Sequence, residues 1–287
     1  MMNGRVLNSL IVGYVATKSL LLESLLLRIH RSTFWLKDKF FNFAKDSSSP
    51  KVSIILPTFN RVSILFERSI PSVLNQTYSN WELLVVSHGC TDETDFRVEA
   101  LSKTDPRIKL ITIKRNRLGY PPTAENHWLV GPVRPINAGL KKVTGDWIAR
   151  IDDDDEWLPA HLESSIKIGK NPLIEFISSG YEVTNQGDTR VILPEGDPPI
   201  GGVQTWVYRS YLAFFRSHLT SWRKSWNRVN DTDVAQRMRK AGVRITHHNN
   251  IGASIRPRIE GESIGSKAYL ENSNYYRSFY DVQDSSD

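Results

Sequence analysis

The chain has 287 residues, a formal net charge of +6 and a single cysteine, Cys90. That length is ample for a buried core, and 40% hydrophobic with 24% charged residues excludes a disordered or fibrous chain. One cysteine excludes an internal disulfide and a cysteine-based zinc site. No apolar run reaches the roughly 20 residues of a membrane-crossing helix. Ile11–Leu27 comes nearest, but Lys18 and Glu23 interrupt it, and it lacks a small-residue cleavage site of a signal peptide. Charge is uneven. Residues 1–48 hold seven Lys/Arg against three Asp/Glu, and residues 205–258 hold eleven against Asp231 and Asp233. Such a basic stretch suits a phosphorylated ligand or an anionic membrane face, and it carries no signature of specific nucleic-acid binding.

Residues 1–48 read as an N-terminal helical extension. Leu10, Tyr14, Leu21, Leu25 and Ile29 mark one apolar face. Phe34, Trp35, Phe40, Phe41 and Phe43 follow among Lys37, Lys39 and Lys45. The segment is either a helical arm packed on the domain or on a second copy, or a peripheral membrane anchor.

From Lys51 the pattern alternates strand and helix. Strands are expected at Val52–Leu56, Trp81–Ser87, Ile108–Ile113 and Asp146–Ile151. Helices are expected at Val62–Leu74, kinked or cut short by Pro71, at Asp92–Ser102 and at Ile136–Val143. Arg115–Pro135 reads as a long Pro-rich insertion, a lid carrying Trp128 or a plain surface loop. This order implies an α/β fold with a mostly parallel sheet covered by helices. Ligands in such sheets sit beyond the carboxyl ends of the strands, so Pro57-Thr58, Ser87-His88, Lys114-Arg115 and Asp152-Asp153-Asp154-Asp155 should face one site. After Pro159 the pattern changes. A helix is expected at Ala160–Ile168, with strands at Phe176–Thr184, Thr189–Leu193, Gly202–Tyr208 and Val243–Thr246. Two further helical stretches, Tyr211–Phe215 and Asp231–Ala241, precede the last strand. The organisation is thus an extension over 1–48, halves over 51–159 and 160–258, and a polar tail over 259–287.

The aspartate run is the strongest chemical signal. Four adjacent carboxylates repel one another, and a hard divalent cation relieves that repulsion. Asp231 and Asp233 open a helix in a basic stretch; they serve either the helix dipole or a general base at a pocket rim. His247-His248 close a strand and are either structural or metal ligands. Cys90 has no visible base beside it, and no Walker loop or G-x-G-x-x-G occurs.

Four segments together resemble family 2 glycosyltransferases, inverting enzymes on the Rossmann-like GT-A fold. They are V-S-I-I-L-P-T-F-N-R (52–61) with S-V-L-N-Q-T-Y (72–78), W-E-L-L-V-V-S-H-G-C-T-D-E-T (81–94), N-A-G-L-K-K-V-T-G-D-W-I-A-R-I-D-D-D-D-E-W-L-P (137–159), and N-D-T-D-V-A-Q-R-M-R-K-A-G (230–242). The resemblance spans about Lys51 to Ile255 and implies helices on both faces of the sheet. It implies that Pro57, Thr58, Phe59, His88 and Asn137 bind a nucleotide-sugar donor, a UDP-sugar favoured. Asp152 and Asp154 match the D-x-D carboxylates. Asp154 would bind Mn²⁺ or Mg²⁺, Asp152 or Asp153 the ribose or ion, and His247 or His248 a further metal or diphosphate contact. Asp231 matches the catalytic base. The acceptor would be a glycan or lipid-linked sugar, as in polysaccharide biosynthesis, and the enzyme cytoplasmic or peripheral on the inner membrane face.

Two positions depart from the family. His88 stands where an Asp is usual, which leaves the preference for uracil open. Asn230 stands where Glu often precedes the base. A catalytically silent carbohydrate-binding or scaffold relative is the alternative reading. A sugar-nucleotide pyrophosphorylase would need a Gly-rich, Lys-containing first loop, which residues 57–61 are not.

Overall fold

The computed structural model describes residues 24–41, 49–115, 118–185, 187–224, 228–256 and 267–272. Strand β1 (Val52–Thr58) is buried along its whole length, as is β2 (Trp81–Ser87). Such continuously buried, mainly apolar strands are what a parallel sheet covered on both faces requires. β1 lies parallel to both β2 and β4 (Trp147–Arg150), and β2 parallel to β3 (Ile108–Thr112).

The second half extends the same sheet with mixed pairing. β4 pairs antiparallel with β8 (Val207–Arg209), which pairs antiparallel with β6 (Phe176–Asn185). β6 runs parallel to β9 (Ile245–Ile255), and β9 turns back onto β5 (Asp155–Trp157). β7 (Asp188–Ile192) pairs with β6 at the side. The order is β3-β2-β1-β4-β8-β6-β9-β5, so one sheet runs through both halves of the chain. The last aspartate of the acidic run, Asp155, is therefore the first residue of β5 and buried.

Helices cover both faces, as the sequence implies. The helix over residues 62–74 (α2) packs Leu65, Ile70 and Val73 with Ile54 and Leu56. α3 (Thr94–Thr104) and α6 (His161–Gly169) add Val98, Leu162 and Ile166 to that face. On the other face α5 (Val133–Leu140) and α7 (Asn230–Lys240) pack Ile136, Leu140, Val234 and Met238 against Ile55, Val86 and Ile148. Gly139 sets the approach of α5, because a Cβ there would come 2.7 Å from Ile55 Cγ2.

Three expectations are corrected. Of the two outcomes expected at Pro71, a kink or an early end, the early end is corrected, since α2 runs on to Leu74. A π turn, Leu65–Ser69, precedes Pro71 and widens the helix where the ring would meet the carbonyl four residues back. The Arg115–Pro135 segment is not a plain loop. Thr123 accepts from Asn126 N at 3.2 Å and starts helix α4 (Ala124–Val130), and α5 begins soon after at Val133. The stretch at Gly202–Tyr208 is a 3₁₀ turn, Val203–Thr205, before the short strand β8.

The N-terminal extension is helical over Ser24–Phe41 (α1), and it docks on the domain. Its docking face differs from the expected one. Leu27 is buried, whereas Leu25 and Ile29 are 58% and 52% exposed. Arg31 grips the buried Glu175 carboxylate, which Arg244 and Tyr211 also hold. The expected face residues Leu10, Tyr14 and Leu21 lie outside the described residues.

Candidate active site

Pro57, Thr58, Phe59, His88, Asp152, Asp153, Asp154 and Asp231 line one cleft of about 780 Å³, together with Arg61, Arg115 and Arg150. The four strand ends therefore converge as the topology dictates, at the carboxyl edge of the parallel half.

At one end two loops are stitched together. Asn60 takes the left-handed conformation, φ 50°, which Asn tolerates. Its Oδ1 accepts from Thr91 N at 2.7 Å, and its Nδ2 donates to Thr91 Oγ1 at 3.0 Å. Asp92 accepts from Val62 N and Thr94 N, joining the starts of α2 and α3. His88 N donates to Thr58 O at 3.0 Å. Gly89 has φ 70°, and a Cβ there would come 3.0 Å from Arg115 Cβ. This lets Arg115 lie beside the loop, its guanidinium 3.7 Å from the centroid of the Phe59 ring.

His88 is buried, and its Nε2 has no hydrogen-bond partner. Burial, then Arg115, Arg134 and His127, lower its pKa to about 4. The imidazole is therefore neutral at physiological pH. Arg115 Nη1 is a second buried atom without a partner at this end.

The middle of the cleft is acidic but compensated. Arg61 Nη1 donates to Asp154 Oδ2 at 2.8 Å and lies 3.4 Å from Asp153 Oδ1. Thr58 Oγ1 donates to Asp153 Oδ2 at 2.8 Å. Arg150 Nη2 donates to Asp152 Oδ1 at 3.0 Å. Burial pushes the Asp153 carboxyl up to about 7 against the pull of Arg61, and Asp154 adds to the rise. Burial and the three preceding carboxylates push Asp155 well up.

The far wall carries Asp231 in the first turn of α7, with Oδ1 accepting from Thr232 N at 2.7 Å. Burial raises its pKa, and Arg150 opposes the rise. Its neighbour Asp233 turns inward. It is buried against Arg237 Nε at 3.1 Å, with Lys224 and His218 alongside. The two aspartates thus divide the readings, Asp233 tying the helix down and Asp231 facing the cleft. Asn230 is buried and donates to Leu129 O at 3.1 Å. α4 forms a side wall through Ala124, His127 and Trp128, and Trp128 packs on Tyr269 with ring centroids 5.0 Å apart.

Two expected residues are not brought to the cleft. Asn137 spends both ends of its amide on Ser217, donating to its carbonyl at 2.8 Å and accepting from its N–H at 3.1 Å. His247 is exposed in the middle of β9, opposite Ser178, because that strand runs on to Ile255. Its neighbour His248 lies 3.5 Å from Ser165 Oγ. Two cleft residues escaped sequence reasoning. Arg61 lies only three residues past Thr58. Arg150 is a charged residue inside a buried strand, which is itself a signal.

The carboxylate oxygens of Asp152 and Asp154 are the hard donors that Mn²⁺ or Mg²⁺ takes, so the donor chemistry fits such an ion. Among the described residues no group of three His, Cys, Asp or Glu is gathered around one ion position.

The family model for Glycosyl transferase family 2 matches residues 53–121 and 124–239. The chain belongs to glycosyltransferase family 2. Among curated members, the UDP-Glc:alpha-D-GlcNAc-diphosphoundecaprenol beta-1,3-glucosyltransferase WfgD of Escherichia coli is 38% identical over 134 residues, 47% of this chain and 47% of that protein. The GalNAc(5)-diNAcBac-PP-undecaprenol beta-1,3-glucosyltransferase of Campylobacter jejuni is 34% identical over 115 residues, 40% of this chain and 33% of that protein. The matches thus span less than half the length of these relatives. Among solved structures, Staphylococcus aureus TarS 1–349 in complex with UDP-GlcNAc aligns with TM-score 0.56 and 19% identity, over 81% of this chain and 66% of that one. The mannosyltransferase PcManGT from Pyrobaculum calidifontis, in complex with GDP-Man and Mn²⁺, aligns with TM-score 0.53 and 17% identity, over 95% and 73%. These likenesses establish the GT-A fold for this family 2 glycosyltransferase.

Proposed function

We propose that the protein transfers a sugar from a UDP-sugar to a hydroxyl of a lipid-linked glycan acceptor, inverting the anomeric centre, with Asp231 as general base. The observation that carries this reading is that Asp231 lines the same cleft as Asp152, Asp154 and the strand-end residues Thr58 and His88. The TarS and PcManGT complexes supply nucleotide sugars as a ligand class, and the WfgD and Campylobacter relatives supply a lipid-linked acceptor.

Pro57, Thr58 and Phe59 take the donor's base and ribose. Neutral His88 offers one ring nitrogen to the base. Asp152 and Asp154 would hold Mn²⁺ or Mg²⁺, which when bound neutralises charge on the departing diphosphate. Asp231, made more basic by burial, takes the proton of the acceptor hydroxyl as its oxygen attacks C1. The bond from C1 to the diphosphate oxygen breaks, and the electron pair leaves with the diphosphate. One displacement from the opposite face inverts C1. Helix α1 keeps this site at the membrane that holds the acceptor, with Leu25, Leu26, Ile29 and Leu36 facing outward.

The test is transfer from UDP-glucose to a panel of lipid-diphosphate-linked monosaccharides, with product stereochemistry read by NMR. Asp231→Asn is expected to lose about 10²–10⁴-fold in turnover and to keep UDP affinity. Full turnover in Asp231→Asn would reassign the base. UDP binding without transfer to any acceptor would favour the silent binding relative.

A further inference from the structure

The carboxylates assigned to the cation are already covered by arginines of this chain. Arg150 is the fixed one. It lies on β4, its side chain 9% exposed, and directs both Nε and Nη2 at Asp152 Oδ1. Arg61 differs. It sits on the turn after β1, its side chain is 28% exposed, it lines the cleft, and one nitrogen serves both Asp153 and Asp154. That pairing is one-ended, whereas a phosphate accepts a guanidinium through two parallel bonds.

We propose that Arg61 is an exchangeable counter-cation of the donor site. It covers Asp153 and Asp154 while the cleft is empty, and it passes to the donor's diphosphate when the nucleotide arrives. The divalent ion then no longer meets the Arg61 guanidinium at these carboxylates. This rests on the reading of the cleft as a site for a nucleoside diphosphate with a metal ion.

The physical ground is charge. An ion approaching Asp154 alone meets a guanidinium 2.8 Å from the oxygen it needs, and the two cations repel. A diphosphate entering alone finds in Arg61 an attracting charge, set against the repulsion of the neighbouring carboxylates. The nucleotide therefore opens the ion's place, and by reciprocity the ion tightens the nucleotide. Removing Arg61 should act in opposite directions on the two ligands, which a merely structural role would not do.

The test uses Mn²⁺ alone as probe, its free ion counted by electron paramagnetic resonance, with and without UDP. UDP binding in EDTA is measured by calorimetry, and thermal unfolding checks that each variant is folded. Arg61→Leu is expected to bind Mn²⁺ without UDP about tenfold more tightly than wild type, and UDP without metal about tenfold more weakly. Arg61→Lys keeps a cation on the turn and is expected to exclude Mn²⁺ nearly as wild type does. Arg61→Leu and wild type binding Mn²⁺ alike in the absence of UDP would overturn the exchange. If Arg61→Leu fails to fold, Arg61→Lys binding Mn²⁺ as tightly without UDP as with it would overturn the exchange as well. No Mn²⁺ binding by any of these proteins even with UDP bound would instead overturn the metal assignment beneath it.

Discussion

Arg150 donates to Asp152 from Nη2 at 3.0 Å and Nε at 3.3 Å, and the same guanidinium lowers the pKa of Asp231 against the rise that burial causes. One buried cation therefore serves both carboxylate sides of the cleft. A general base works only when ionised, so transfer should fall on the acid side as Asp231 takes up a proton. Arg150→Met removes the pull that keeps Asp231 ionised. Its acidic limb in kcat against pH should move to higher pH, and KM for the donor should rise because the cleft loses a cation that attracts the diphosphate. An unmoved limb would assign the titration to another group.

His88 gives a second pH test. Its pKa of about 4 means that it stays neutral down to that region. The difference in UDP affinity between wild type and His88→Ala, measured by calorimetry, should show no inflection between pH 5.5 and 8, because the titrations of Asp153 and of the terminal phosphate are common to both proteins, whereas an ordinary histidine would produce one near 6.5. His88→Ala should weaken UDP about tenfold, the worth of one neutral hydrogen bond made in a buried place. Unchanged affinity in His88→Ala would take the residue out of base recognition.

Much of this was legible in the sequence, for physical reasons. β1 and β2 are buried on both faces, and only continuous runs such as Val52–Leu56 and Trp81–Ser87 satisfy that. The site was legible wherever a strand end fixes a residue, as for Thr58, His88, Arg115 and Asp152. Features set by tertiary contact were hidden. The π turn before Pro71 and the reach of β9 beyond His248 depend on neighbours that the local pattern does not contain. Asn137 has the residue type of a ligand contact, and only the proximity of Ser217 shows that its amide is already used.

Glu82 links the sheet to the loop before β4, and it predicts how stability depends on pH. Burial alone would raise its pKa. Hydrogen bonds from Lys109 at 2.7 Å, Ser53 at 2.6 Å and Thr144 outweigh that and hold it at about 2. A carboxyl depressed in the folded state stabilises above its unfolded pKa, near 4.5, and loses that contribution as pH falls through about 2. Glu82→Gln should cost on the order of 2 kcal/mol at pH 7 in urea unfolding, after discounting for the partly exposed lysines. The gap to wild type should close between pH 4.5 and 2. A gap independent of pH would mean that lost packing, not charge, carries the effect.

The two faces of α1 allow its docking and its outward contact to be separated. Inward, Leu27 is buried, His30 meets Phe214 edge-on at 6.0 Å, and Arg31 holds Glu175. Outward, Leu25, Ile29 and Leu36 follow spacings of four and seven, which puts them on one stripe. The exposed Arg28 borders that stripe, one helical turn from Leu25, where its Nε donates to Lys240 O at 2.8 Å. An apolar stripe with a basic residue beside it binds anionic lipid by burying the one and attracting the other. Leu25→Ser with Ile29→Ser and Leu36→Ser should reduce co-flotation with phosphatidylglycerol vesicles at least tenfold while leaving the melting temperature within a few degrees. Arg31→Met should do the opposite, lowering the melting temperature because the buried Glu175 carboxylate loses a partner. If the triple variant floats as wild type does, the stripe is not a lipid contact, and a concentration-dependent loss of wild-type dimer in the triple variant would mark it as a surface for a second copy.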